Sequence, residues 1–197
     1  MKTIITIGRE YGSGGRIIAQ RLAEALSIPF YDKEVIEGVA KKTGFAENFV
    51  RDAEHRPTNS FFYDLYSSTQ SLSLSDQVFI AQSGVIKDLA NKGSCVIVGR
   101  CADYILRDYP HLLRVYIHAP IALRARRAYE EYGVKEANVE SYVAKQDKQR
   151  ASYYNYFTSI RWGDSHSYDL CVSSALGIDT AVDIIRTAAL AREEDLK

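Results

Sequence analysis

The chain has 197 residues, 46% of them hydrophobic, and its 25 lysines and arginines are balanced by 25 aspartates and glutamates. That length suits one well-filled α/β domain, 1–197, with room for a small insertion, and the zero net charge excludes a global pull toward nucleic acid or an anionic membrane. No amino-terminal signal pattern and no apolar run of about 20 residues is present, so a cytoplasmic protein is expected and any anion site must be local.

Thr3–Ile7 is a short β-branched run, read as a buried parallel strand. It leads into Gly8-Arg9-Glu10-Tyr11-Gly12-Ser13-Gly14-Gly15-Arg16, after which Ile17, Ile18, Leu22 and Leu26 recur at helical spacing. Strand, glycine-rich turn and helix is the order of a phosphate cradle. Glycines let the backbone approach an anion, and the N–H groups at the helix start add partial positive charge. Gly12, Ser13, Gly14, Gly15 and Arg16 are therefore the candidate phosphate-binding residues. The usual loop ends in Gly-Lys-Ser/Thr, with the lysine on the β/γ-phosphates and the hydroxyl on Mg²⁺. Here Gly14-Gly15-Arg16-Ile17 stands in that place, without lysine or hydroxyl.

Ser27–Asp32 reads as a second strand ending in an acid. Asp32 either caps the helix marked by Val35, Ile36, Val39 and Ala40, which Gly44 stops, or faces a ligand at the carboxyl end of its strand. From Phe45 to Lys92 there is no strand pattern, and 45–92 is read as a helical insertion. Within it Phe61, Phe62, Leu65 and Tyr66 form a stripe suited to core or to self-association, so a homo-oligomer is one expectation. Ser67–Ser75 reads as a mobile connector. Val78, Phe79, Gln82, Val85, Ile86 and Leu89 then mark an amphipathic helix closed by Gly93.

Cys95–Val98 is a continuous apolar run, expected as a central parallel strand that delivers Gly99-Arg100 to the same sheet edge as the glycine loop. Arg100 there either clamps a phosphate with its planar fork or sits solvated at a helix start. Leu112–His118 is the fourth strand, and Ala119-Pro120 starts a helix carrying Arg124, Arg126 and Arg127, a charge run of the kind that usually marks a solvated face. In the next helical pattern, Val139–Phe157, Asp147 and Arg150 lie one turn apart and are spaced to pair at the surface. Tyr132-Gly133-Val134 separates the two, so residues 124–162 are read as a helical hairpin that forms a lid. Tyr168–Val172 is the fifth strand, and Asp179 is expected to cap the final helix. The three cysteines, Cys95, Cys101 and Cys171, lack the spacing of a disulfide framework or a zinc site, no metal ligand set is read, and Cys95 and Cys171 are expected to be buried in strands.

In this order Gly8–Arg16, Phe30-Tyr31-Asp32, Val98-Gly99-Arg100, Arg124-Ala125-Arg126-Arg127, Asp147-Lys148-Gln149-Arg150 and Tyr168–Ser174 resemble the cytidylate kinases, most closely their cytidylate kinase-like relatives with a divergent phosphate loop. The resemblance spans nearly the whole chain. It implies a P-loop NTPase fold of the nucleoside monophosphate kinase type: a five-stranded parallel sheet flanked by helices, a monophosphate-binding insertion and an arginine-bearing lid. It further implies that Gly12–Arg16 wrap a nucleoside triphosphate, that Asp32 and Arg100 face a small acceptor, CMP or a related pyrimidine monophosphate, and that Arg16, Arg124, Arg127 and Arg150 act on the transferring group. ATP and Mg²⁺ are the implied cofactors, the metal held mainly by phosphates and water. Two departures stand out. Gly15 and Ile17 replace the lysine and the hydroxyl, and Cys101 follows Arg100 where the kinases have aspartate. Arg16 is expected to substitute in part, and Asp103 is a candidate outer-shell partner of the metal.

Two function classes stay open: ATP-dependent phosphoryl transfer, and a degenerate P-loop module that binds a nucleotide without transfer. A dinucleotide-binding oxidoreductase would fit Gly8-x-x-x-Gly12-x-Gly14 with Asp32, but no Tyr-x-x-x-Lys exists in the chain, and Ser13 lacks the Gly-x-Ser-x-Gly spacing of a serine hydrolase.

Overall fold

Alternation along the strands decides the architecture. Ile5, Ile7, Val96, Val98, Leu113, Val115 and Ile117 are buried in one apolar cluster, while Ile4, Cys95, Ile97 and Leu112 are buried in another. Strands buried on both faces need helices on both sides. In the computed structural model, which describes residues 3–45, 47 and 73–194, β1 (Ile4–Arg9), β2 (Phe30–Tyr31), β3 (Cys95–Val98), β4 (Leu112–His118) and β5 (Leu170–Ser173) form one parallel sheet in the order β2-β3-β1-β4-β5. This is a P-loop NTPase fold.

Helices α1 (Gly15–Leu26) and, at the carboxyl end, α7 (Ile178–Glu194) cover the first face through Ile18, Leu22, Ala181 and Ile185. The second face is covered by α2 (Lys33–Thr43), α3 (Leu74–Asn91), the short α4 (Ala102–Ile105) and α6 (Val139–Thr158), using Val35, Val39, Ile86, Ile105 and Tyr153. Between β4 and α6 lies α5 (Ile121–Glu130), which packs on α6 through Ala125, Ala128 and Val143, with Tyr11 of the glycine loop against the same small cluster.

The register places the site. Ile7 of β1 lies opposite Val98 of β3, and Arg9 lies opposite Ile117 of β4. The loops that leave these three strands therefore open at one sheet edge, where the strand order turns outward on both sides of β1.

Several expectations change. Cys171 is exposed, because β5 is an edge strand, whereas Cys95 is buried. Ser73 is the N-cap of α3, accepting from the Asp76 N–H, and Ser75 is buried, so this end of the serine-rich stretch begins a helix. The remainder of that stretch and the aromatic stripe at Phe61–Tyr66 lie outside the described residues. Asp179 sits inside the first turn of α7 and pairs with Arg21 at 2.5 Å instead of capping. Among the described residues no helix is long and apolar enough to cross a membrane.

Candidate active site

The glycine loop is braced from below by two buried arginines of α5. Arg124 donates through Nε to the Ala119 carbonyl at 2.9 Å and through Nη1 to the Tyr11 carbonyl at 3.2 Å. It also pairs with Asp147 of α6, and with Glu10 at 3.2 Å. Asp147 accepts in turn from the Tyr11 N–H at 2.7 Å. Arg127 donates to the Gly12 carbonyl at 2.8 Å. Only Arg126 faces solvent, within 3.9 Å of Glu130. The charge run is thus a solvated face at one arginine and a scaffold at the other two. Arg124 and Arg127, which the resemblance implies act on the transferring group, donate to the loop carbonyls of Tyr11 and Gly12.

Within the loop the Ser13 hydroxyl donates to the Glu10 carbonyl at 2.8 Å and is fully buried. Gly14, in the left-handed region at φ 77°, is the N-cap of α1 and supplies no side-chain oxygen to the first helical N–H groups. The start of α1 is thus a helix N-terminus without a side-chain cap, a place of partial positive charge.

Asp32 joins the two halves of the site. Its Oδ1 accepts from Arg100 Nη1 at 2.9 Å, and its Oδ2 accepts from Arg16 Nε at 2.7 Å. It makes no capping bond to α2, although it precedes that helix. Burial raises the pKa of this carboxyl, but the Arg100 charge and the two hydrogen bonds outweigh burial and leave it below the usual carboxylate range. Arg100 is aimed at Asp32 by an unusual turn. Arg100 and Cys101 both have positive φ, 56° and 55°, a conformation that costs a non-glycine residue about 1–3 kcal/mol. Gln82, fully buried on α3, donates to the Arg100 carbonyl at 3.1 Å and contacts the Tyr153 hydroxyl at 3.1 Å. In the sequence Gln82 stands as a polar residue inside an apolar stripe, and that was the one signal of its role.

Asp147 and Arg150, expected to pair with one another, take different partners. Arg150 donates to the Arg9 carbonyl at 3.0 Å and lies 5.3 Å from the Tyr11 ring centroid. Burial lowers the pKa of its guanidinium, with Asp147 the leading opposing influence. Tyr11 is packed edge-on against Tyr132 and Tyr142, and burial pushes its hydroxyl up to about 12.

Two cavities meet here. One, of about 320 Å³, lies over the glycine loop between Gly12, Gly15 and Arg16. The other, of about 340 Å³, lies toward β3 and is bounded by Arg100, Asp103, Tyr153, Tyr154 and Trp162. Arg9, Tyr11 and Arg150 line both and form the wall between them. Sequence reasoning did not single out Arg9 or Tyr11, since both lie among the glycines of the motif. Asp103 is 7% exposed and accepts from the Tyr154 hydroxyl at 2.6 Å. Burial raises its pKa against the hydrogen bond from Tyr154, and Oδ2 is already engaged by that hydroxyl.

The donor set does not build a magnesium site. The Ser13 hydroxyl is turned into the loop, Asp32 is held by two arginines, and no group of three or more His, Cys, Asp or Glu side chains among the described residues could hold a metal.

The model of the cytidylate kinase-like family matches residues 4–176. Cytidylate kinase from Pyrococcus horikoshii is 24% identical over 191 residues, spanning 96% of this chain and 88% of that protein. The crystal structure of an uncharacterized protein from Eubacterium ventriosum matches with a TM-score of 0.74 at 34% identity, covering 95% of this chain and 98% of that one. Shikimate kinase from Acinetobacter baumannii in complex with shikimate matches at a TM-score of 0.56 and 17% identity, covering 100% and 96%, a likeness of fold.

Proposed function

The chain belongs to the cytidylate kinase-like family, and from that premise we propose that it transfers the γ-phosphoryl group of ATP to CMP or a related pyrimidine monophosphate. The observation that carries this reading is the pair of cavities with a common wall of Arg9, Tyr11 and Arg150. A donor lying along the uncapped start of α1 and an acceptor lying against Arg100 would meet at that wall, beside the guanidinium groups of Arg9 and Arg150.

The chemistry asks little of a base. An oxygen of the acceptor monophosphate, whose second pKa is about 6, attacks the γ-phosphorus as the bond to the β,γ-bridging oxygen breaks, and ADP leaves with that oxygen. No proton has to be removed, so Asp32 can serve as a fixed anchor for Arg16 and Arg100. The protein supplies positioning and positive charge for the oxygens that gain charge in the transition state. Arg150 and Arg16 are the cations we assign to the phosphates, with Arg124 and Arg127 as positioning residues for the loop. Tyr153, Tyr154 and Trp162 offer faces for a flat base, and Asp103 and Gln146 offer hydrogen-bonding edges. Mg²⁺ would arrive on the donor phosphates, coordinated by them and by water, and no step is routed through it. We further assign residues 124–162 to a lid and 45–92 to an acceptor-side insertion.

A coupled assay of ADP release with Mg·ATP and each nucleoside monophosphate tests the reading. Turnover with CMP, above that with AMP, GMP and UMP, is expected. Tight ATP binding without turnover of any acceptor would replace it with the non-transferring P-loop module, which the absent loop lysine and hydroxyl favour.

A further inference from the structure

We propose that Arg9 supplies, from across the loop, the phosphate-binding cation that a phosphate loop ordinarily carries at the position of Gly15. The proposal rests on the two-cavity reading above. Arg9 is the last residue of β1, and its side chain runs over the start of α1 toward the end of β3. A side chain built at Gly15 would place its Cβ 2.6 Å from Arg9 Cβ and 3.1 Å from Arg9 Cγ. The room that a lysine would need at Gly15 is therefore taken by the stem of Arg9. At the other end of the side chain, a Cβ at Gly99 would overlap Arg9 Nη1. Two glycines, one from each loop, leave the channel in which this one arginine lies.

The reach of its charge agrees with that path. Arg9 lowers the pKa of Asp32 on the acceptor side and of Tyr132 on the loop side. Tyr132 lines the cavity over the glycine loop. Arg9 thus stands where the β- and γ-phosphates of a donor on α1 would face an acceptor beside Arg100. A guanidinium suits such a seam better than an ammonium. Its donors spread over a planar fork, so it can hold oxygens of both phosphates, and it stays charged when buried. The missing lysine is on this account a relocation of charge from α1 to β1, which explains how a loop with glycine at that place can belong to a phosphotransferase.

The test compares the wild type with Arg9→Met, which keeps the stem beside Gly15 and removes the charge, Arg9→Lys, and Arg126→Met as a surface control. Binding of ATP and AMP by calorimetry, without an acceptor, and kcat for the best acceptor are read for each. The wild type and Arg126→Met are expected to bind ATP more tightly than AMP. In Arg9→Met that gap should close to within about threefold while kcat falls by about 100-fold, the cost of one transition-state donor, and Arg9→Lys should recover part of both. An unchanged gap in a folded Arg9→Met, whatever its kcat, overturns the Arg9 assignment alone. A wild type that binds no ATP overturns the nucleotide-site reading and this proposal with it.

Discussion

Asp32 ties Arg100 to the glycine-loop side of the site: Arg100 Nη1 donates to Oδ1 at 2.9 Å while Arg16 Nε donates to Oδ2 at 2.7 Å. Arg100 and Arg16 therefore share one carboxylate, and a displacement of either is felt by the other.

Asp32→Asn is expected to lower stability at neutral pH by about 1.5–3 kcal/mol, the worth of a hydrogen bond to a charged group. Arg16 is exposed, so the loss comes mainly from Arg100. The folded pKa of Asp32 is lowered, so its contribution is present above the unfolded value of about 3.9 and is lost as pH falls through the folded value. Urea denaturation across pH 3–7 should show the gap between variant and wild type narrowing toward acid. A gap that stays constant would mean that charge is not its source.

Asp103 should behave with the opposite sign. Its folded pKa is raised by burial, so its stability contribution is complete below about 3.9 and is lost as pH rises through the folded value. Asp103→Asn, neutral at every pH and still able to accept from Tyr154, should gain stability relative to the wild type over that rise. Melting temperatures from pH 4 to pH 8 measure it, and parallel curves would contradict the raised pKa.

Arg124→Met leaves Asp147 and Glu10 without their buried cation, and breaking such a pair costs about 3–5 kcal/mol. Arg126→Met, on the exposed side of the same helix, should stay within about 0.5 kcal/mol of the wild type. Denaturation midpoints of the two variants decide whether the charge run divides as described. Equal effects would place both arginines on a solvated face.

That division shows what the sequence could and could not convey. The five strand segments, the main helices and the glycine loop were legible because buried parallel strands are continuous apolar runs and helices repeat their apolar residues. Which arginine of Arg124, Arg126 and Arg127 turns inward depends on Tyr11, Gly12 and Asp147, which lie far away along the chain. The pairing of Asp32 with two arginines, the path of Arg9 past Gly15, and the exposure of Cys171 likewise arise from tertiary contacts that no local pattern encodes.

Gln82 offers a test that separates positioning from stability. Its amide holds the Arg100 carbonyl in the left-handed turn, while its Oε1 is buried without a hydrogen-bond partner. Gln82→Met keeps the volume, removes that unpartnered acceptor and deletes the donor. The transfer gain of the apolar side chain and the lost hydrogen bond are each about 1 kcal/mol, so stability should change little. The strained turn, however, loses its tether to α3, and Arg100 loses its fixed aim. The expected outcome is a KM for the acceptor raised about tenfold, a KM for ATP changed less than twofold, and a melting temperature within a few degrees of the wild type. A melting temperature that collapses would make Gln82 a structural residue alone, and an unchanged acceptor KM would remove Arg100 from the acceptor site.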